Sequence, residues 1–163
     1  MFNNLTPRHY AEQCLENQNY LILAGIVFVA TGSARARARD VKRKQELSQI
    51  GRFLAASNCY IPDAGAGDYD LAQLYSEIKA KYPQVTQIAN LPVDPKSGSE
   101  DQTNYHYQVT VDNHCILYAN LENENETIIL PGLSDPTAGG GTGVLQAQSP
   151  GPNGTNIFYQ VGR

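Results

Sequence analysis

The sequence predicts an α+β fold in which a long N-terminal helix packs on a small antiparallel β-sheet, with a second short helix and a long Gly/Pro-rich loop. Three observations carry this. Residues 34–57 hold no Pro and a single Gly among helix-forming Ala, Arg, Lys, Gln, Glu and Leu. Residues 105–111 alternate strictly between apolar and polar, and a second apolar run at 115–121 follows a pair of turn-forming residues. At 163 residues, 41% of them hydrophobic, the chain has room for one globular core and not comfortably for two.

Residues 1–20 are polar and mixed in character. The chain then turns apolar from Tyr20 to Thr31, with no charged side chain and with small residues continuing to Ala34. A helix needs roughly 20 apolar residues to cross a bilayer, and this run supplies fewer, so it reads as a short anchor or a buried core element. Leu21, Leu23, Ile26, Val27, Phe28 and Val29 are its packing residues. No clear basic start precedes it, which is a poor fit to a cleaved signal peptide.

The helix expected over 21–57 becomes amphipathic in its second half. Val41, Leu47, Ile50 and Leu54 are assigned to one side, with Arg43, Lys44 and Glu46 pointing elsewhere. Residues 58–68 are turn-rich. A second helix follows over 69–82, with Asp68 or Asp70 as its N-cap and Pro83 as its stop. The strand at 105–111 turns at Asp112-Asn113, read as a two-residue hairpin loop, into a returning strand at 115–121. Residues 131–154 read as one long loop contributing little core, and 156–161 as a last strand. The expected organisation is an atypical N-terminal segment at 1–20, the long helix at 21–57 and an α+β head at 58–163.

Charge is divided sharply. The formal net charge is −4, yet residues 35–52 carry seven bases (Arg35, Arg37, Arg39, Lys42, Arg43, Lys44 and Arg52) against two acids, while residues 53–163 carry twelve acids against four bases. A basic stem thus separates an apolar run from an acidic body. Asn and Gln together supply 25 positions and only 17% of residues are charged, a balance that leans toward a secreted or surface protein.

The run Leu23 to Ile50 (LAGIVFVATGSARARARDVKRKQELSQI) resembles the second half of the N-terminal helix of type IV pilins and type II secretion pseudopilins. Leu91-Pro-Val-Asp-Pro95, Tyr105-x-Tyr107 and Tyr118-Ala-Asn-Leu-Glu122 resemble the loop into the sheet and the strands of the major-pseudopilin-like branch. The resemblance spans roughly residues 21–125. It implies a structural filament subunit with no enzymatic activity and no cofactor, with a single membrane-inserted helix and a methylated amino terminus. Its copies would associate through their N-terminal helices and with other pilin or pseudopilin subunits. It further implies a cell-envelope location, anchored in the inner membrane before assembly into an extracellular or periplasmic filament.

Residues 1–20 depart from the family pattern. Counting back from Ser33-Ala-Arg35 puts the family's glutamate near Glu12, while Pro7 stands where the leader's small residue belongs. A replaced or misread gene start, or an atypical subunit that escapes leader processing, accounts for this. Basic residues directly after an apolar segment would favour the cytoplasm by the positive-inside tendency. The family's topology places them outside, where the stem would face acidic surfaces of neighbouring subunits in a salt-sensitive way.

Two other readings compete with that one. A surface-exposed, membrane-tethered binding or adhesion module is the second, and a DNA-uptake filament subunit the third. Nucleic-acid binding is not expected, because no stacking aromatics accompany the bases and the chain is acidic overall. Cys59 and Cys115 fit either a disulfide or two free thiols, and Cys14 has no evident partner. No cysteine spacing matches a zinc site. His9, His106 and His114 lie in different elements, His106 and His114 flanking the hairpin closely enough to meet. Gly139 to Gly143 lacks the strand, helix and Lys of a phosphate loop. Asp63, Asp68 and Asp70 supply oxygens of the kind Ca²⁺ takes, but capping and turn roles already account for Asp68 and Asp70, and no metal is assigned.

Overall fold

A computed structural model describes residues 32–55, 58–84 and 89–163. The chain divides into two units, residues 1–36 and 37–163. Of the first, only residues 32–36 are described, and they are helical. The apolar residues Leu21, Leu23, Ile26, Val27, Phe28 and Val29 lie outside the described residues, as do Cys14 and the other positions of the N-terminal segment.

Residues 32–54 are helical (α1). The second unit continues through strand β1 (Gly67–Asp70), helix α2 (Leu71–Lys81), and strands β2 (Tyr105–Val109), β3 (Cys115–Asn120), β4 (Gly143–Gln146) and β5 (Ile157–Gly162). The five strands form one antiparallel sheet in the order β1-β2-β3-β5-β4. The α+β class is therefore observed: α1 packs on a five-stranded antiparallel sheet, and the second helix is short.

Strand alternation decides which side faces the helices. Tyr105, Tyr107 and Val109 of β2 and Cys115, Leu117 and Ala119 of β3 point inward. They meet Leu47, Ile50 and Leu54 of α1 and Leu71, Leu74 and Ile78 of α2 in one core. Gly51 allows the closest approach of α1 to the sheet, since a Cβ there would lie 2.6 Å from Val161 Cγ1. The end of α1 is finished by tertiary contacts: the Leu54 carbonyl accepts from the Tyr60 N–H at 2.9 Å and from Tyr107 Oη at 3.3 Å.

Asp70 is the N-cap of α2. Its carboxylate accepts from Ala72 N–H at 2.9 Å, while the Gln73 side chain accepts from the Asp70 N–H at 3.1 Å, a reciprocal capping box. The expected start at 69 is corrected, because Tyr69 belongs to β1, a strand that the turn-rich reading of this region missed.

Three other expectations are corrected. Thr110 and His114 close the β2–β3 hairpin around three residues, 111–113, with Asn113 at φ 61° supplying the left-handed position. Val111 belongs to this turn rather than to the strand and is 86% exposed. The segment 131–154 contains β4, and Val144, Leu145, Ala147 and Asn153 are buried, so it contributes substantial core. Val41 does not sit on the packing face of α1 and is 59% exposed.

Candidate functional site

The helical face that carries Leu47, Ile50 and Leu54 continues toward the N-terminus at positions four and seven residues before Leu47. Those positions are Arg43 and Asp40. The six-residue spacing to Val41 falls off the stripe, so the residue expected to point outward, Arg43, is wholly buried and the one expected inward is exposed.

Arg43 is the centre of a charged junction. Its Nε and Nη2 donate to both oxygens of Asp94 at 2.7 and 2.8 Å, and its Nη1 lies 2.6 Å from Asp40 Oδ1 and 2.7 Å from Glu122 Oε1. Arg39 grips Glu122 in the same forked fashion, at 2.7 and 2.6 Å. Lys96 Nζ approaches Glu122 at 3.6 Å. Three carboxylates thus face two guanidiniums and an ammonium, and the charges balance.

The remaining lone pairs are also used. Asp40 accepts the backbone N–H groups of Glu122 and Asn123, each at 2.9 Å. Asp94 turns the chain behind it by accepting from the N–H groups of Lys96 and Ser97 at 2.9 and 3.0 Å. Asn153 donates to Asp94 at 3.0 Å and to the Asn120 carbonyl at 2.9 Å, and Asn120 donates onward to the carbonyls of Thr155 and Ile157. Among the described residues, no buried side-chain N or O lacks a partner. Four separate pieces of chain (α1, the 94–97 turn, the segment after β3 and the turn before β5) are therefore locked together at one point.

The electrostatics follow from that geometry. Burial alone would lower the Arg43 pKa, but the hydrogen bonds it donates to Asp94 and Glu122 reverse this and raise it. Burial likewise works to raise the pKa of Asp94, yet the Arg43 bonds and the two backbone donors hold it far below the usual carboxylate range. The Arg39 hydrogen bonds, opposed by burial and reinforced by Arg43, bring Glu122 down to about 2. All three remain charged at neutral pH.

The rest of the predicted basic stem divides in two. Arg39, Arg43 and Lys44 pair within the chain, Lys44 with Glu126 at 2.7 Å. That corrects the expectation that the whole stem is offered to neighbouring subunits. Arg35, Arg37 and Lys42 are exposed, and Lys42 reaches only Glu46, at 3.7 Å.

At the far end of α1, Cys59 and Cys115 form a disulfide with Cα atoms 5.9 Å apart, across a sequence separation of 56. Of the two sequence readings of this pair, the bridge is the one observed. It points to an oxidising, extracytoplasmic compartment.

The three aspartates considered for Ca²⁺ lie in separate networks. Asp63 pairs with Lys81, Asp68 with His106 and Tyr118, and Asp70 caps α2 while accepting from Thr103 and Asn104. Among the described residues no group of His, Cys, Asp or Glu is arranged to hold a metal ion. His106 stacks on Tyr118, whereas His114 lies beside Gly139, so the structure does not bring the two histidines together.

Asp40, Asp94, Asn120, Glu122 and Asn153 were not singled out from the sequence. A signal was present for three of them: Asp94 lies in Leu91-Pro-Val-Asp-Pro95, and Asn120 and Glu122 in Tyr118-Ala-Asn-Leu-Glu122, the segments that carry the family resemblance.

The architecture, an N-terminal helix packed on a five-stranded antiparallel sheet, is consistent with a pilin-like fold. No family model matches the sequence, and comparison with curated proteins and with solved structures returns no significant match. No helix among the described residues is long and apolar enough to cross a membrane.

Proposed function

We propose that the protein is a structural subunit of a type IV pilus-like or type II secretion pseudopilus filament, acting by assembly rather than by catalysis. One observation carries the reading. The inner face of α1 is consumed by the sheet and by the Arg43 junction, and in sequence this helix is directly preceded by an uncharged apolar run over 21–31. A helix whose inner face is packed on a folded body, and which an apolar segment precedes in sequence, suits a subunit that packs its apolar segments with those of its neighbours. The disulfide supports display outside the cytoplasm.

Electron microscopy of cells making the full chain together with its secretion or pilus machinery tests this. Filaments are expected that contain the chain and vanish when Val27 and Phe28 are replaced by Asp. Filaments that persist with both replacements overturn the proposal. Full-length protein that reaches the cell surface and stays unassembled favours the tethered binding module instead.

A further inference from the structure

The intrachain pairing of part of the basic stem leaves a residue of charge that the fold does not use. Arg37, Lys42 and Arg52 line the outward face of α1 together with Val41, Gln45 and Gln49, all of them exposed. Arg37 and Arg52 stand in no ion pair among the described residues, and Lys42 has only its long contact with Glu46, whose carboxylate is already bonded by Tyr105 Oη. This face is basic, extends over four turns, and carries Val41 at 59% exposure.

The acids divide similarly. Asp94, Glu122 and Glu126 are neutralised by α1; Asp63 and Glu77 share Lys81; Asp68 is held by His106 of β2 and Tyr118 of β3, and Asp70 by the residues just before β2. Glu100 and Asp101 are adjacent, exposed and in no ion pair among the described residues. They flank an open groove of about 570 Å³ beside α2, whose apolar lining is Tyr75, Leu91 and Val93. Lys79 Nζ lies 5.4 Å over the Tyr75 ring and 3.5 Å from its hydroxyl.

We infer that the outward face of α1 (Arg37, Val41, Lys42, Arg52) docks in the Glu100–Asp101 groove of a second copy of this chain. The occupant is chosen by complementarity, since a basic helical face with an apolar residue among its charges meets an acidic rim around an apolar floor. The two surfaces share no residue. A single contact of this kind leaves one helix face and one groove free on the pair, and repeated head-to-tail it propagates into open chains or rings. The inference deepens the filament reading and rests on it for biological setting, but not for its chemistry.

The test uses the full chain in detergent micelles or membranes, as an equal mixture of ¹⁴N- and ¹⁵N-labelled protein treated with a zero-length carbodiimide. Mixed-isotope peptides joining Lys42 to Glu100 or Asp101 are expected. Their yield should fall about tenfold between 0.1 and 1 M NaCl, as the screening length shrinks from about 10 to about 3 Å. Reversal on one side (Lys42→Glu with Arg52→Glu) or on the other (Glu100→Lys with Asp101→Lys) should abolish salt-sensitive association, and mixing the two variants should restore it.

Association indifferent to both reversals, or mixed-isotope links from Lys42 to another surface, overturns the inference. Filaments that form normally when either side alone is reversed also overturn it and leave the filament proposal standing. Restored association between the reversal variants, in a chain that never forms filaments, does the opposite.

Discussion

The two halves of the packing face of α1 are held by different physics. Around Arg43, residues 39–44 contact the body through charges and hydrogen bonds. Around Leu47 to Leu54 the same stripe contacts it through apolar side chains, and the disulfide lies just beyond. The apolar half gains from removing surface from water and tolerates small shifts, since burial is non-directional. The charged half has one acceptable geometry, because each carboxylate oxygen is already assigned to a donor. A buried ion-pair cluster is weak support for net stability, as its desolvation cost offsets much of its attraction. What it supplies here is registry: Asp40 travels with Arg43 on the helix, but a helix displaced along the sheet would leave Asp94 and Glu122 without Arg43.

The largest expected effect breaks the charged half. Arg43→Ala strands Asp40, Asp94 and Glu122 in a site built for a guanidinium, and should cost about 3–5 kcal/mol of unfolding free energy, measured by urea denaturation. Arg43→Lys should recover only part of this, because an ammonium cannot make the forked contact with Asp94. Lys44→Met, at the partly exposed Glu126 pair, should cost less than about 1 kcal/mol, which makes burial rather than charge the deciding variable.

The same region sets the acid limit of the fold. Glu122 and Asp94 have pKa values depressed by folding, so their contribution is fully present above the unfolded carboxylate range and is lost as pH falls through the folded values. For Glu122 that value is about 2, and Asp94 is held far below the usual carboxylate range. Near-UV circular dichroism should therefore be unchanged above the ordinary carboxylate range and fall away as pH drops from there toward about 2. In Arg43→Ala the collapse should move up toward the ordinary carboxylate range, since Asp94 loses the hydrogen bonds that chiefly oppose its burial, while Glu122 keeps those of Arg39. An unchanged acid midpoint in that variant would show that the junction does not govern acid unfolding.

The apolar half has its own pair of tests. Replacing Cys59 and Cys115 by Ser should cost about 4 kcal/mol, given the 56-residue separation. Leu54→Ala, at a fully buried position, should cost about 3 kcal/mol. Neither should move the acid midpoint as Arg43→Ala does, so stability against pH separates the two halves of one helix.

Legibility in the sequence follows the same division. Leu47, Ile50 and Leu54 announce their face because a buried apolar stripe repeats along the chain, and Asp70 announces a helix start through Gln73, three residues on. Arg43 announces nothing local, because Asp94 and Glu122 lie 51 and 79 residues away and a base on a helix ordinarily reads as solvated. The inner strands β2 and β3 were visible through alternation. The edge strands β1 and β4 were not, since Gly67, Asp68 and Asp70 and the Gly-rich approach to Gly143 carry turn-forming composition, which edges tolerate.

The smallest expected effect lies on the other face of the sheet, where β1 is held at its edge by side chains as well as by its ladder. His106 Nδ1 lies 3.3 Å from Asp68 Oδ1, and Tyr118 Oη donates to Asp68 Oδ2 at 2.6 Å. The Asp68 hydrogen bond raises the His106 pKa against the opposing effect of burial. Burial would raise the Asp68 pKa, but the bonds from His106 and Tyr118 bring it below its ordinary value. The His106 contribution is fully present below the unfolded histidine value and fades as pH rises through the raised folded one. The Asp68 contribution is present above the unfolded carboxylate value and fades as pH falls through the depressed one. The pair therefore works between those limits. With His106 35% exposed at its side chain, it should be worth less than about 1 kcal/mol. Titration of the His106 ring by NMR should show its pKa falling toward the ordinary histidine value in Asp68→Asn, with faster amide exchange confined to residues 67–70. A His106 titration unmoved by Asp68→Asn would mean that β1 is held by its backbone ladder alone.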